Sequence, residues 1–485
     1  MRHARPCRRL KFVTPRDACV SFQKMWWPAF LQIKSGDPEA RLQAIQRLAD
    51  SDSARAFDQL AEAIKDEDMR VSRAAVTAIG RINSEKATNI LIHTLADHHP
   101  ELRQAAVDAL RNKPFEHVIT ALVAVLNDFD AGVRGRVARV LENLRWRPSN
   151  AKEEIWYAVA QGNLRSVAAF GSQAIEALEM VLLGGPYSLQ VAALHTLGQI
   201  ADERVLNTLI PALKSSDPAV SVAAVEALSH FGGPQAADAL VPMLRHSDHR
   251  VRVAAIDAVA GLDGQKTTEA LTDLLKDSIW DVRRAAAHAL GKCKDARAVD
   301  GLIIALKDSD NDVRESAIAA LGNIGGKRAI GPLVLALADQ DSSVRRAAGV
   351  TIQKLNPHWP TSDEAQQVIP ELRAALDFGD SAVRYAATSV LGRMGKLNEK
   401  QPGGGSDGTT VLTAAGQKRR KVFSVFVELL KDQDRDVRLA SVQSLGRLGD
   451  PRAASALMTA MSDADENVRH AAAEAVEFLN FLGAA

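Results

Sequence analysis

Residues 307–325 read "KDSDNDVRESAIAALGNIG", and residues 431–449 read "KDQDRDVRLASVQSLGRLG". The two strings share three aspartates, the Val-Arg pair and a Leu-Gly pair, so one short pattern is written at least twice into the chain. With the valine of "DVR" as an anchor, looser copies place equivalent positions at Ala40, Val71, Leu102, Val133, Leu189, Val220, Val251, Val282, Val313, Val344, Val383, Val437 and Val468. Nine of the twelve intervals between them are 31 residues. A fixed period of that size marks stacked supersecondary units, not one domain with one core.

Each unit holds two helical patterns. The first, as in "RAIGPLVLALAD", puts Ile330, Leu333, Val334 and Leu337 at i, i+3, i+4 and i+7, one face of a helix. The second begins at an aspartate three residues before the anchor, present in ten of the thirteen units. An aspartate there can cap the helix by accepting a free backbone N–H. In Asp37-Pro38 and Asp217-Pro218 the next residue is proline, favoured at the first helical position because its missing donor costs nothing. Val313, Ala317, Ala320, Leu321 and Ile324 then share one side. Nine units carry two adjacent alanines three and four residues past the anchor, such as Ala285-Ala286 and Ala386-Ala387. These small side chains let neighbouring helices approach closely. A lone hairpin cannot bury both of its apolar faces, whereas a stack can, and so each copy is the packing partner of the next.

The strings D-x-x-V-R-x-x-A and A-L-G resemble HEAT repeats, in particular the short subclass found in phycobilin (PBS) lyase subunits, and the resemblance runs over about residues 25–485. Pro211 and Pro242 inside first helices are similar to the kinks of that family. The resemblance implies an all-α fold, a right-handed α-solenoid of about fourteen helical hairpins. It implies a shape without a task. The arginine after the anchor recurs in ten units. Its regular company of aspartates predicts a structural ladder, Asp310 with Arg314, Asp341 with Arg345 and Asp434 with Arg438, in which each arginine meets a capping aspartate of its own or an adjacent repeat.

The totals narrow the function classes. Among 485 residues, 60 Lys and Arg stand against 59 Asp and Glu, and aromatic residues make up 5%. That balance argues against nucleic acid as the partner, since binders of it carry a basic excess or stripe. The exposed sixth position past each anchor is mixed in sign, with no run of cations for DNA wrapping. Three cysteines, Cys7, Cys19 and Cys293, form no disulfide framework and suit a reducing, cytoplasmic setting. No apolar run is expected to approach the ~20 residues of a membrane span, and no membrane partner is expected. Residues 1–24 form a basic tail without the apolar core of a secretory signal, and disorder is expected there. The periodic pattern starts at Met25, a candidate biological start.

Three intervals break the period and divide the chain: 25–149, an N-terminal block; 150–187, an irregular repeat; 188–395, a central block with an insertion at 356–363; 396–420, a glycine-rich flexible loop; and 421–485, the last repeats. Binding functions in solenoids gather at such breaks. The candidate partner contacts are therefore Trp26 and Trp27 at the start, Trp156 and Tyr157 in the irregular repeat, Trp359 in the insertion, and Lys418, Arg419 and Arg420 after the loop. Aromatic residues are enriched at interface hot spots.

Catalytic motifs do not assemble. The G-x-S-x-G of Gly404–Gly408 lacks the strand-to-helix turn on which that motif works. Deoxyhypusine hydroxylase, a HEAT enzyme, uses His-Glu dipeptides for its di-iron centre, and none of the twelve histidines here precedes a glutamate. His246 and His249 lack further ligands at usable spacing, and Cys293 stands where other repeats have isoleucine or leucine. The sequence thus predicts no catalytic, metal or cofactor site. It predicts a non-catalytic scaffold or assembly factor that binds a partner protein on its concave surface. An accessory subunit of an enzyme system, lyase-like or for maturing a redox complex, is the alternative that the resemblance leaves open.

Overall fold

The computed structural model describes residues 29–50, 54–113, 116–260, 265–378, 380–395 and 423–484, and among these there is helix and no strand. Two compact units divide the chain, residues 1–231 and 232–485. In the first unit the second helices of the repeats are α1 (Pro38–Ala49), α2 (Met69–Arg81), α3 (Pro100–Leu110) and α4 (Ala131–Asn143). After the irregular segment come α5 (Ile175–Gly184), α6 (Tyr187–Leu197), α7 (Arg204–Ala212) and α8 (Pro218–Ser229), of which α6 and α8 are second helices. In the second unit the second helices are α9 (His249–Val259), α10 (Trp280–Cys293), α11 (Asn311–Ile324), α12 (Ser342–Leu355), α13 (Ser381–Gly395), α14 (Arg435–Leu448) and α15 (Glu466–Ala484).

Local chemistry starts these helices where the pattern said. The carboxylate of Asp310 accepts the N–H groups of Asp312 and Val313, and Asp217, Asp341 and Asp434 cap their helices in the same way. The anchors that follow are the core: Val71, Val133, Val251, Val282, Val313, Val344 and Val437 are wholly buried.

Within each unit, consecutive second helices pack along their lengths, as α1 on α2, α10 on α11 and α13 on α14 do, whereas successive first helices touch much less. The reason lies in the A-L-G string. A Cβ added to Gly80 would stand 2.8 Å from the Ala109 Cβ, one on Gly291 2.8 Å from the Ala320 Cα, and one on Gly446 2.9 Å from the Ala475 Cβ. The glycine nine residues past one anchor thus seats the small residue seven past the next, alanine in these three pairs, Thr351 against Gly322 and Ser444 against Gly392, and only hydrogen at the glycine leaves room. In each unit the second helices are thus the more closely packed layer, termed the inner layer, and the first helices are the outer one.

The period breaks have physical causes. Between α4 and α6 the place of a second helix is taken by a 3-10 segment, Leu164–Ala174, which packs on the helix Ala151–Ala160 and on α6. It bends at Gly171, where φ is 56° and ψ is −132°. One expectation is corrected here: Leu164–Gly184 is long and apolar enough, by length and composition, to cross a membrane, although only 33% of its apolar window is buried. The turn at Gly171 divides it into two short pieces. A second break lies between α12 and α13, and the third, between α13 and α14, includes residues 396–422 outside the described ones. The insertion folds as a 3-10 turn, Trp359–Thr361, followed by the short helix Asp363–Gln367.

Candidate partner-binding surfaces

The repeated arginines come first, because a free row of them would be a binding site. They are engaged internally. Arg283 donates from Nε and Nη2 to the Asp308 carboxylate at 2.7 and 2.8 Å, and from Nη1 to the Asp277 carbonyl at 2.9 Å. Arg314 repeats this on Asp339, at 2.9 Å twice, and on the Asp308 carbonyl at 2.8 Å. Arg438 does so on Asp463 and the Asp432 carbonyl, and in the first unit Arg41 holds Asp66 and Arg103 holds Asp128. Arg345 donates to the Asp339 and Gln340 carbonyls. Each bidentate arginine therefore clamps its own interhelix loop to the loop of the next repeat, with planar geometry suited to a carboxylate.

The acceptor differs from the expected one. Arg314 and Arg438 reach neither their own caps, Asp310 and Asp434, nor the next cap, as Arg314 would at Asp341. They reach the aspartate two residues before the next cap. The caps are committed to the helix N–H groups, and each acceptor aspartate also receives the N–H of its cap, as Asp308 does from Asp310 at 3.0 Å.

These carboxylates make the fold sensitive to acid. The Arg438 guanidinium holds the Asp463 carboxyl below the usual carboxylate range, against the upward push of burial. The Arg70 side chain, followed by its N–H, lowers Asp68 to about 2. A carboxyl whose pKa falls on folding adds stability above its unfolded value of ~3.9, and that stability is lost as pH drops through the folded value. We expect a melting temperature that is level from about pH 7 to about pH 5 and falls steadily below about pH 4. Calorimetry across that range checks it, and an unchanged melting temperature at about pH 3 would contradict it.

The single-residue aromatic candidates are mostly interior. Trp359 is 0% exposed, with the Arg393 guanidinium 5.0 Å from its ring centre, so it cannot anchor a partner and instead fills the core of the break between α12 and α13. Trp156 is 6% exposed, and Tyr157 lies edge-on to Trp146 with ring centres 5.3 Å apart. Both pack at the irregular repeat, where Trp156 also lines a recess of about 260 Å³ with Val123, Leu126, Asn150 and Glu153. Trp26, Trp27, Lys418, Arg419, Arg420 and the G-x-S-x-G string lie outside the described residues. Among the described residues no three His, Cys, Asp or Glu side chains gather as a metal site. His246 accepts the Asp248 N–H at 3.1 Å, and Cys293 is half-buried.

Two grooves were not foreseen. The first lies on the inner layer of the first unit, a space of about 360 Å³ between α2, α3 and α4. Arg73, Arg81 and Arg136 line it with Glu101, Asp108, Gln104 and Asn112. Arg136 donates to Asp108 at 2.6 Å, and Gln104 reaches across to the Asp130 carboxylate at 2.9 Å. The Gly80–Ala109 contact lowers its floor. The sixth-position series touched this groove only at Thr77 and Asp108, because the groove also takes side chains from the neighbouring rows. The second groove, of about 580 Å³, lies between the outer helices α5 and α7.

Comparison with known proteins places this architecture. The pattern for HEAT repeats matches residues 28–111, 175–260, 238–307, 299–366 and 408–477. No curated protein matches the chain in sequence. Similar solved structures include human deoxyhypusine hydroxylase in complex with glycerol, at 20% identity over 64% of this chain and 99% of that one, with a TM-score of 0.25. A structure of Kap95p binding to RanGDP is similar at 13% identity over 94% of this chain and 61% of that one, with a TM-score of 0.37. A homology model of the full-length AP-3 complex is similar at 13% identity over 96% of this chain and 94% of that one, with a TM-score of 0.42.

Proposed function

The chain belongs to the HEAT-repeat family, and from that premise we propose that it is a non-catalytic scaffold or assembly factor that holds a partner protein against the inner helix layer of its first unit. The observation that carries this is the groove between α2, α3 and α4, where three arginines and two carboxylates line one recess between helices that the clamps hold in place. A partner with acidic and amide side chains can meet Arg73 and Arg81 without disturbing the Arg136–Asp108 pair. Electrostatic matching of this kind sets specificity and association rate more than affinity. The near-neutral total charge supports a protein partner over nucleic acid, and the three cysteines support a cytoplasmic setting. The 31-residue period and the D-x-x-V-R string support placing the repeats in the short subclass typified by phycobilin lyase subunits.

Affinity capture of the full chain followed by crosslinking and mass spectrometry tests the reading. The expected result is a partner crosslinked to α2–α4, whose retention drops at least about tenfold in the doubly reversed variant Arg73→Glu, Arg81→Glu. Bound tetrapyrrole or stoichiometric metal in the purified protein would instead favour the accessory-subunit reading. Crosslinks confined to other repeats would overturn the assignment of this groove.

A further inference from the structure

We propose that the outer groove between α5 and α7 is a second docking site, built for a segment of a partner protein that presents an arginine or lysine flanked by bulky apolar side chains. The groove is about 580 Å³, and Leu182, Leu183, Pro211, Ala212 and Val220 supply its apolar surface. Apolar exposure continues at its rim. Leu183 is 80% exposed and Tyr187 53%. The backbone of Phe129, itself 72% exposed, adjoins α5, its carbonyl 2.8 Å from where a Cβ of Gly184 would be. Contiguous apolar surface of this kind marks an interaction site.

The chemistry of the occupant follows from the polar groups. Glu179 is the one lining residue with an acidic side chain, and no lysine or arginine lines the groove among the described residues. Thr208 donates its hydroxyl to Glu179 Oε1 at 2.5 Å, which pins the carboxylate in place. One turn further along α7, Pro211 has no N–H, so the carbonyl of Asn207, four residues earlier, loses its helical donor. A single fixed negative charge in an apolar setting is the complement of a guanidinium or ammonium on an apolar segment.

The groove exists because the repeat before it is irregular. The 3-10 segment Leu164–Ala174 turns at Gly171 and leads into α5. Only a third of the apolar window Leu164–Gly184 is buried, although its composition is that of a core helix. This site is separate from the inner groove, and neither depends on the other.

The experiment uses the full chain and a fluorescein-labelled octapeptide of alternating leucine and arginine, with a leucine–glutamate octapeptide as control, read by fluorescence anisotropy. Expected are saturable binding of the basic peptide, absent for the acidic one, and weakening of at least about tenfold in Glu179→Gln. That substitution keeps an oxygen for Thr208 and removes only the charge. Leu183→Asp, at an exposed position, is expected to abolish binding while the melting temperature stays unchanged. Equal affinity for the two peptides, no saturable binding, or indifference to Glu179→Gln would overturn the proposal. So would self-association that Leu183→Asp removes, which assigns the groove to a second copy. Binding to phosphatidylcholine vesicles lost in Leu183→Asp would assign it to a lipid surface and overturn it equally.

Discussion

Replacing Arg314 by alanine is expected to destabilise the second unit by about 3–5 kcal/mol, the usual loss when one partner of a buried ion pair is removed. The side chains of Arg314 and Asp339 are 5% and 13% exposed, and the pair is bidentate. Without the guanidinium, the Asp339 carboxylate keeps the Asp341 N–H at 2.8 Å but loses both charge-assisted donors. The Asp308 carbonyl loses its donor as well, so two loops come apart at one substitution. Because stability in a stacked array is a sum of units and nearest-neighbour interfaces, the damage should be local at first. Hydrogen exchange should rise between about residues 299 and 355 and stay level in the first unit. The double variant Arg314→Ala, Asp339→Ala should lose less than the sum of the two single changes, since each single change strands a buried group. Additive losses in that cycle would show that the clamp contributes little.

Trp359→Ala is the second large effect. The indole is among the largest wholly buried side chains of the protein. It occupies the site where the 31-residue period fails and a short insertion must do the work of a missing hairpin face. Truncation of a buried tryptophan costs about 3–5 kcal/mol, and here it also removes the surface on which the Arg393 guanidinium lies. Chemical denaturation should report that loss, with exchange increasing in α12 and α13. Partner capture should be unaltered under conditions where the variant remains folded. A variant of normal stability that no longer binds its partner would restore Trp359 to the role of contact residue.

The outcomes at particular residues show what was legible. Asp310 as a helix cap could be read directly, because capping involves groups two and three residues away and local spacing decides it. The buried valine anchors were legible for the same reason, as 3.6-residue periodicity is a local property. The clamp acceptor was not. Asp308 is 25 residues from Arg283, and both it and Asp310 stand in the same D-x-D string. Only the path of the loop shows which carboxylate faces the neighbouring repeat. Trp359 misled for a related reason: prolines and a polar surrounding suggest an exposed turn, yet the side chain points into a gap that other repeats left. The partner of the A-L-G glycine lies 29 residues away at Gly291 and Ala320, beyond the reach of any single-helix argument.

The amino-acid sequence alone determined that this chain is helical, that its helices begin at recurrent aspartates, and that the units must stack, since each hairpin has more apolar surface than it can cover by itself. Tertiary structure decided which layer is the tighter one, which aspartate each arginine grips, which tryptophans are core, and where the two grooves open. Those features depend on distances between repeats. Such distances are set by how a glycine meets an alanine across an interface and by how an irregular repeat fails to fill its place, neither of which a local period can encode.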